Sequence, residues 1–183
     1  MALLVNLFAG PGAGKSTMAA LLFAGLKGRG VSAELAPEFA KDLTWEQRWN
    51  ALRCQPYVFG EQYLRVWRLM NNPGVEVVIT DSPLLLSGIY GELNGMPESF
   101  GQAVVDLAKS FNRLNVVVNR VKPYDPRGRR QSEASAREID QYVLHALVNT
   151  GEEFITRPGN DAGAEEALLK IVETLAVRPH ALD

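Results

Sequence analysis

The chain has 183 residues, 46 % hydrophobic and 22 % charged, with a formal net charge of −2. Those values fit one domain spanning residues 1–183 with a sizeable core, and they exclude a broad basic coat for unspecific nucleic-acid binding while allowing a local basic cleft. A single cysteine, Cys54, excludes an internal disulfide and a cysteine-rich zinc site, and the absence of a signal-peptide pattern or of an apolar run near ~20 residues points to a cytoplasmic protein without a membrane span.

In chain order, Leu3 to Phe8 is a short apolar run that reads as a buried strand. Ala9, Gly10, Pro11, Gly12, Ala13, Gly14, Lys15, Ser16 and Thr17 follow, and Met18 to Lys27 has a helical pattern. Strand, glycine loop, Lys-Ser and helix in that order make a phosphate-binding P-loop. Glycines let successive backbone N–H groups turn toward a polyphosphate, and the helix N-terminus adds partial positive charge. Lys15 is expected to reach the β- and γ-phosphates of ATP, and the Ser16 hydroxyl to ligate Mg²⁺. Ala9 stands where the motif usually has its first glycine.

Val31 to Pro37 alternates as a second strand and delivers Glu38 just past its C-terminal end, where open α/β sheets collect ligands. Thr44-Trp45-Glu46-Gln47 reads as a capping box opening a helix through Arg53. A further helix is expected from Tyr57 to Met70. Phe59, Tyr63 and Trp67 share one of its faces, with Gln62 and Arg65 beside them. That stripe suits ordinary core packing, or a base-stacking wall with flanking hydrogen-bond donors.

Asn71 to Gly74 is a turn, and Val75 to Thr80 is a β-branched strand ending at Asp81. A strand capped by Asp, paired with a P-loop, supplies a second Mg²⁺ ligand. Helices are expected from Leu84 to Tyr90 and around Phe100 to Phe111, then a strand from Leu114 to Asn119. The next stretch is the most charged: Arg120, Lys122, Arg127, Arg129 and Arg130 among prolines and glycine. A basic loop of about 120–134 between strand and helix is where a phosphotransferase carries its lid, and arginines fork onto phosphate oxygens. Ser135-Ala136-Arg137-Glu138 reads as a capping box for a helix, Glu153 to Thr156 as a last strand, and Ala164 to Leu175 as the closing helix. His145 and His180 read as structural or solvated, and Cys54 as packing.

Five strands alternating with helices predict an α/β fold: a parallel sheet with helices on both faces. The chain resembles the P-loop nucleoside and nucleotide kinases, thymidylate-kinase-like enzymes among them. The resemblance covers nearly the whole chain. It implies strand order 2-3-1-4-5, a carboxylate role for Glu38, and a lid at Arg127, Arg129 and Arg130. Pro37 to Asp42, Gly60 to Tyr63, Thr80 to Leu84 and Tyr124 to Arg129 are similar to a phage-encoded branch. That branch includes kinases that phosphorylate the hydroxymethyl group of 5-hydroxymethyluracil in DNA, and for a phage protein the host cytoplasm is implied. Nicotinamide-riboside-kinase-like proteins share the layout. Ser82 follows Asp81, so the Asp-Arg pair of thymidylate kinases is missing.

The expected chemistry is transfer of the ATP γ-phosphoryl group to a hydroxyl. Lys15 and the lid arginines neutralise charge, Ser16 and Asp81 hold Mg²⁺, and either Glu38 or Asp81 accepts the hydroxyl proton, with Glu38 preferred. A DNA acceptor would place its base on Phe59, Gln62, Tyr63, Arg65 and Trp67, with Arg120 and Lys122 along the backbone. The other readings are a kinase of a free nucleoside or nucleoside monophosphate, and a nucleotide-dependent switch or ATPase. Asn119-Arg120-Val121-Lys122 lacks the acidic residue by which guanine switches read their base. Oligomeric state is not encoded in any motif.

Overall fold

The structure is a computed structural model, and it describes residues 2–121, 123–124 and 132–177. Five parallel strands form one sheet in the order β2-β3-β1-β4-β5, the predicted order. The strands are β1 Leu3–Phe8, β2 Ala33–Ala36, β3 Val77–Thr80, β4 Arg113–Asn119 and β5 Phe154–Pro158. The helices are α1 Lys15–Gly28, α2 Phe39–Trp45, α3 Trp49–Arg53, α4 Gln55–Met70, α5 Leu85–Leu93, α6 Glu98–Lys109, α7 Glu133–Asn149 and α8 Asp161–Ala176.

The central strand explains the layering. Every residue of β1 is buried, as a strand covered on both faces requires. Leu3, Val5 and Leu7 pack with α1 and α8 through Leu22, Leu26, Leu168 and Ile171. Leu4 and Phe8 pack on the other face with Val66 of α4, Ile89 of α5 and Val143 of α7. β1 pairs with β3 in the register Asn6↔Thr80 and with β4 in the register Asn6↔Asn115.

That register lines up polar groups inside the second core. Asn6 donates to Asn115 Oδ1 at 2.9 Å. Asn115 donates to Glu152 Oε2 at 2.8 Å. Arg113 forks onto both Glu152 oxygens, each at 2.7 Å. The Glu152 side chain is 1 % exposed. Burial alone raises a carboxyl pKa, but the Arg113 fork and the Asn115 amide outweigh it and hold Glu152 below the usual value.

Several helix starts differ from expectation, and the backbone gives the reason. Thr44 does not open a helix. It lies inside α2, where its hydroxyl donates to Ala40 O at 2.9 Å. Glu38 is the N-cap residue of α2, and Gln47 at φ 56 turns the chain after it. α7 begins three residues earlier than predicted, because Ser132 caps it and accepts from Ser135 N at 3.2 Å. α8 begins at Asp161 because Asn160 accepts from Gly163 N at 2.9 Å. Cys54 is exposed at the start of α4 rather than packed, and His145 is exposed on α7. No helix among the described residues is long and apolar enough to cross a membrane.

Replacing Arg113 by Met leaves the Glu152 carboxylate buried without its ionic partner. The expected loss is about 3 kcal/mol at neutral pH, read by urea denaturation. The sign follows from the depressed Glu152 pKa. The wild-type stabilisation is present above the ordinary glutamate value of 4.5 and is lost as pH falls through the folded value. The gap between wild type and variant therefore narrows in acid.

Candidate phosphoryl-transfer site

The C-terminal ends of all five strands converge on one cleft edge. After β1 comes the loop at residues 9–14, after β2 Glu38, after β3 Asp81, after β4 Arg120, and after β5 Gly159. Ligands gather at this edge in open α/β sheets.

The loop has the shape its residues predict. Gly12 and Gly14 have φ of 80° and 104°, the left-handed region that side chains disfavour. Gly14 is the N-cap residue of α1, and Gly14, Lys15, Ser16 and Thr17 line the cleft, where the first amides of a helix lack intrahelical partners. Ala9 is 4 % exposed and packs with Ala13 in the first core. Its methyl group fills that core, while its carbonyl stays available and accepts from Lys15 Nζ at 2.8 Å. Lys15 Nζ also donates to Gly10 O at 3.1 Å. Gly10 is close to α7: a Cβ there would sit 2.2 Å from Ala136 O. Its N–H donates to Asp140 Oδ1 at 2.6 Å.

The charges balance around Lys15. Burial lowers its pKa; Glu38, Asp81 and Asp140 act to raise it, and Arg120 lowers it further. The Ser16 hydroxyl donates to Asp81 Oδ2 at 2.5 Å. These two residues therefore bring hard oxygen donors together, the donor class Mg²⁺ prefers. Burial raises the Glu38 pKa, Lys15 opposes that shift and Asp81 adds to it. Tyr90 lies near Glu38 and Asp140. Burial, followed by those two negative charges, pushes its pKa to about 12, so its phenol keeps its proton.

The cleft holds about 920 Å³ and runs from the loop to α2 and α3. Its far wall carries Lys41, Trp45, Arg53, Val58 and Leu86. Trp45 is 68 % exposed. Leu86 and Tyr90 of α5 and Asn94 at its C-cap recur every fourth residue and all line the cleft.

The aromatic stripe of α4 lies elsewhere. Phe59 and Tyr63 pack against the second core, where Phe59 meets Phe100 at 6.1 Å and Tyr63 meets Phe111 at 5.9 Å between ring centroids. Trp67 is on the same helix, outside the cleft lining. Arg65 pairs with Asp42 at 2.5 Å and stacks on Phe39. Gln62 is 1 % exposed. It accepts from Phe39 N at 2.9 Å and donates to Thr80 Oγ1 at 3.4 Å. So Gln62 bridges the residue after Glu38 and the residue before Asp81, behind the cleft. The expected base-stacking wall on these five residues is corrected: the cleft-facing part of α4 is its first turn, Gln55 and Val58. Phe59 and Tyr63 are drawn inward because their face of α4 meets α6 and the segment after it.

Lys122, Arg127, Arg129 and Arg130 lie outside the described residues. Tyr90, Asp140, Lys41, Arg53 and Trp45 were not singled out by sequence. A signal existed for Tyr90, since Ser87, Tyr90 and Glu92 interrupt an otherwise apolar helix. Asp140 carried none, because an acidic residue on a mixed helix reads as solvated.

A family model described as AAA domain matches residues 4–165. Among solved structures, a crystal structure of NadR protein in complex with NR superposes with a TM-score of 0.70 at 18 % identity. The match covers 100 % of this chain and 54 % of that one, so the chain spans about half the length of that protein. The likeness is one of fold. No curated protein matches the sequence.

Replacing Gln62 by Leu removes the acceptor of the buried Phe39 N–H. A destabilisation of about 1–3 kcal/mol is expected from thermal unfolding. The Glu38 turn is also freed from the Asp81 turn, so turnover is expected to fall further than the lost stability explains, while Gln62→Glu, which keeps the acceptor, recovers part of it.

Proposed function

The chain belongs to the AAA domain family of P-loop proteins, and we propose that it is a kinase that moves the γ-phosphoryl group of ATP to a hydroxyl of a nucleoside-type acceptor. The observation that carries this reading is the placement of Glu38. A carboxylate with a raised pKa faces the same cleft as Lys15 and Asp81, where it can meet the hydroxyl of an acceptor. A switch or slow ATPase has no use for a second, partly apolar wall of Trp45, Leu52, Val58 and Leu86.

Each residue has a task in this reading. The loop amides from Gly12 onward and Lys15 bind the triphosphate and draw its charge toward the helix N-terminus. Ser16 and Asp81 would hold Mg²⁺, which when bound neutralises phosphate charge. Glu38 accepts the proton of the acceptor hydroxyl as its oxygen bonds to phosphorus and ADP departs. Tyr90 stays protonated and donates a hydrogen bond to the acceptor. Arg127, Arg129 and Arg130, which lie outside the described residues, would neutralise charge on the transferring group.

We further propose that the acceptor is the hydroxymethyl group of 5-hydroxymethyluracil within DNA. The motifs around Glu38, Gly60, Asp81 and Tyr124 support this. Trp45, on the open side of the cleft, suits a flipped base, and Lys41 and Arg53 suit the neighbouring backbone phosphates. A free nucleoside is the rival acceptor, favoured by the shared fold with a protein crystallised with NR.

The experiment is radiolabelled ATP offered with free nucleosides, nucleoside monophosphates, plain DNA and hydroxymethyluracil DNA. Label is expected only on the last, with activity falling steeply as salt rises. Label on a free nucleoside alone overturns the DNA reading, and acceptor-independent ADP release overturns the kinase reading. Lys15→Ala is expected to abolish transfer without unfolding the chain.

The raised Glu38 pKa sets a pH test. The Glu38 carboxylate is the active form, so kcat/KM is expected to fall in acid, with its midpoint above the ordinary 4.5. Glu38→Gln is expected to lower the rate about 10²- to 10⁴-fold and to flatten that limb.

A further inference from the structure

Arg120 follows β4 directly, at the start of the basic loop. Its side chain is only 5 % exposed. Nη2 and Nε both donate to Asp140 Oδ2, at 3.1 and 3.3 Å. Nη1 is buried and has no hydrogen-bond partner among the described residues. Nη1 lies beside Gly12: a Cβ on that glycine would lie 3.2 Å from Nη1 and 3.1 Å from the Tyr124 ring. A guanidinium donor thus hangs unpaired over the left-handed turn of the P-loop.

The surroundings define what would fill the gap. Arg120 lies close enough to Lys15 to depress its pKa. Lys15 meanwhile rests on the loop carbonyls of Ala9 and Gly10. Two cations face the same turn, with loop amides below them. Asp140 cannot complete the set. Its Oδ2 is used by Arg120 and its Oδ1 by Gly10 N–H. The missing partner is an anion with several oxygens, positioned between Lys15 and Nη1. In a P-loop, the lysine reaches the β- and γ-phosphates.

We propose that Arg120 is a fixed ligand of the γ-phosphate, held ready before nucleotide arrives, and that Asp140 is its positioning residue. The proposal rests on the kinase reading above and deepens it. Asp140 joins three parts with one carboxylate: α7, the loop at Gly10 and the guanidinium at Arg120. Arginine suits the task, since its planar fork satisfies Asp140 on one edge and leaves Nη1 for a phosphate oxygen.

The test compares binding of the β,γ-imido analogue of ATP with binding of ADP, by calorimetry on the full chain. Arg120→Met is expected to weaken the triphosphate analogue about tenfold or more, with ADP changed less than about twofold. Arg120→Lys keeps the ion pair with Asp140, and so the fold, but has no second nitrogen for the loop. It is expected to show the same selective loss. Asp140→Asn keeps an acceptor for Gly10 N–H and loosens Arg120, so a smaller loss in the same direction is expected. The double variant Arg120→Met/Asp140→Asn is expected to be no worse than Arg120→Met, because both changes remove one contact. An unchanged ratio of analogue to ADP affinity in Arg120→Lys overturns the proposal while leaving the kinase reading intact. Failure of the wild-type chain to bind either nucleotide overturns both.

Discussion

Between Ala9 and Lys15 the backbone passes twice through the left-handed region, at Gly12 and Gly14. That double reversal lets a fully buried strand hand over to α1 within a few residues while its amides turn toward one point. The rest of the structure is arranged around this turn. β1 occupies the middle of the sheet, with β3 and β4 beside it. Neighbouring strand ends therefore place Asp81 and Arg120 on either side of the loop. The more distant β2 brings Glu38 to the same edge. The loop after β5 presses against the turn from below, where a Cβ on Gly159 would lie 2.3 Å from Ala13 O.

The electrostatics follow from that crowding. Lys15 and Arg120 carry positive charge into a region short of water, and Glu38, Asp81 and Asp140 compensate it. Their roles are separated by hydrogen bonding. Asp81 is engaged by Ser16 and Asp140 by Gly10 and Arg120. Glu38 caps α2 without a side-chain bond to that helix, and burial raises its proton affinity. Three carboxylates of similar chemistry thereby sit in different surroundings: one bonded by a hydroxyl, one by an amide and a guanidinium, and one buried without a bond to its own helix. The polar bridge through Gln62 and Thr80 keeps the first and the last of these at a set separation. Thr80 Oγ1 also donates to Ala36 O at 2.9 Å and accepts from Ser82 N at 3.1 Å.

Local signals were legible where one residue type has one physical use. Left-handed glycines before Lys-Ser, and a β-branched strand ending in Asp, required nothing from the rest of the chain. Signals with two uses misled. Thr44 and Ser135 fit capping boxes, yet Glu38 and Ser132 hold the N-cap positions. The α4 stripe fits core packing and base stacking equally well in sequence. Its neighbours Phe100 and Phe111 decide the matter, and they lie on other elements.

By itself, the sequence determined the α/β class, the phosphate loop and the carboxylates at two strand ends. Periodicity and loop chemistry are properties of a few adjacent residues, so they survive without tertiary information. Only the tertiary structure decided which side chains share the cleft. Asp140 is 130 positions from the amide it holds, and Arg120 acquires its orphaned donor only when α7 packs over Gly10. Phe59 and Tyr63 of α4 pack on the core and Trp45 lines the cleft for the same reason. A helix face takes its role from what covers it, and that covering comes from residues distant in the chain.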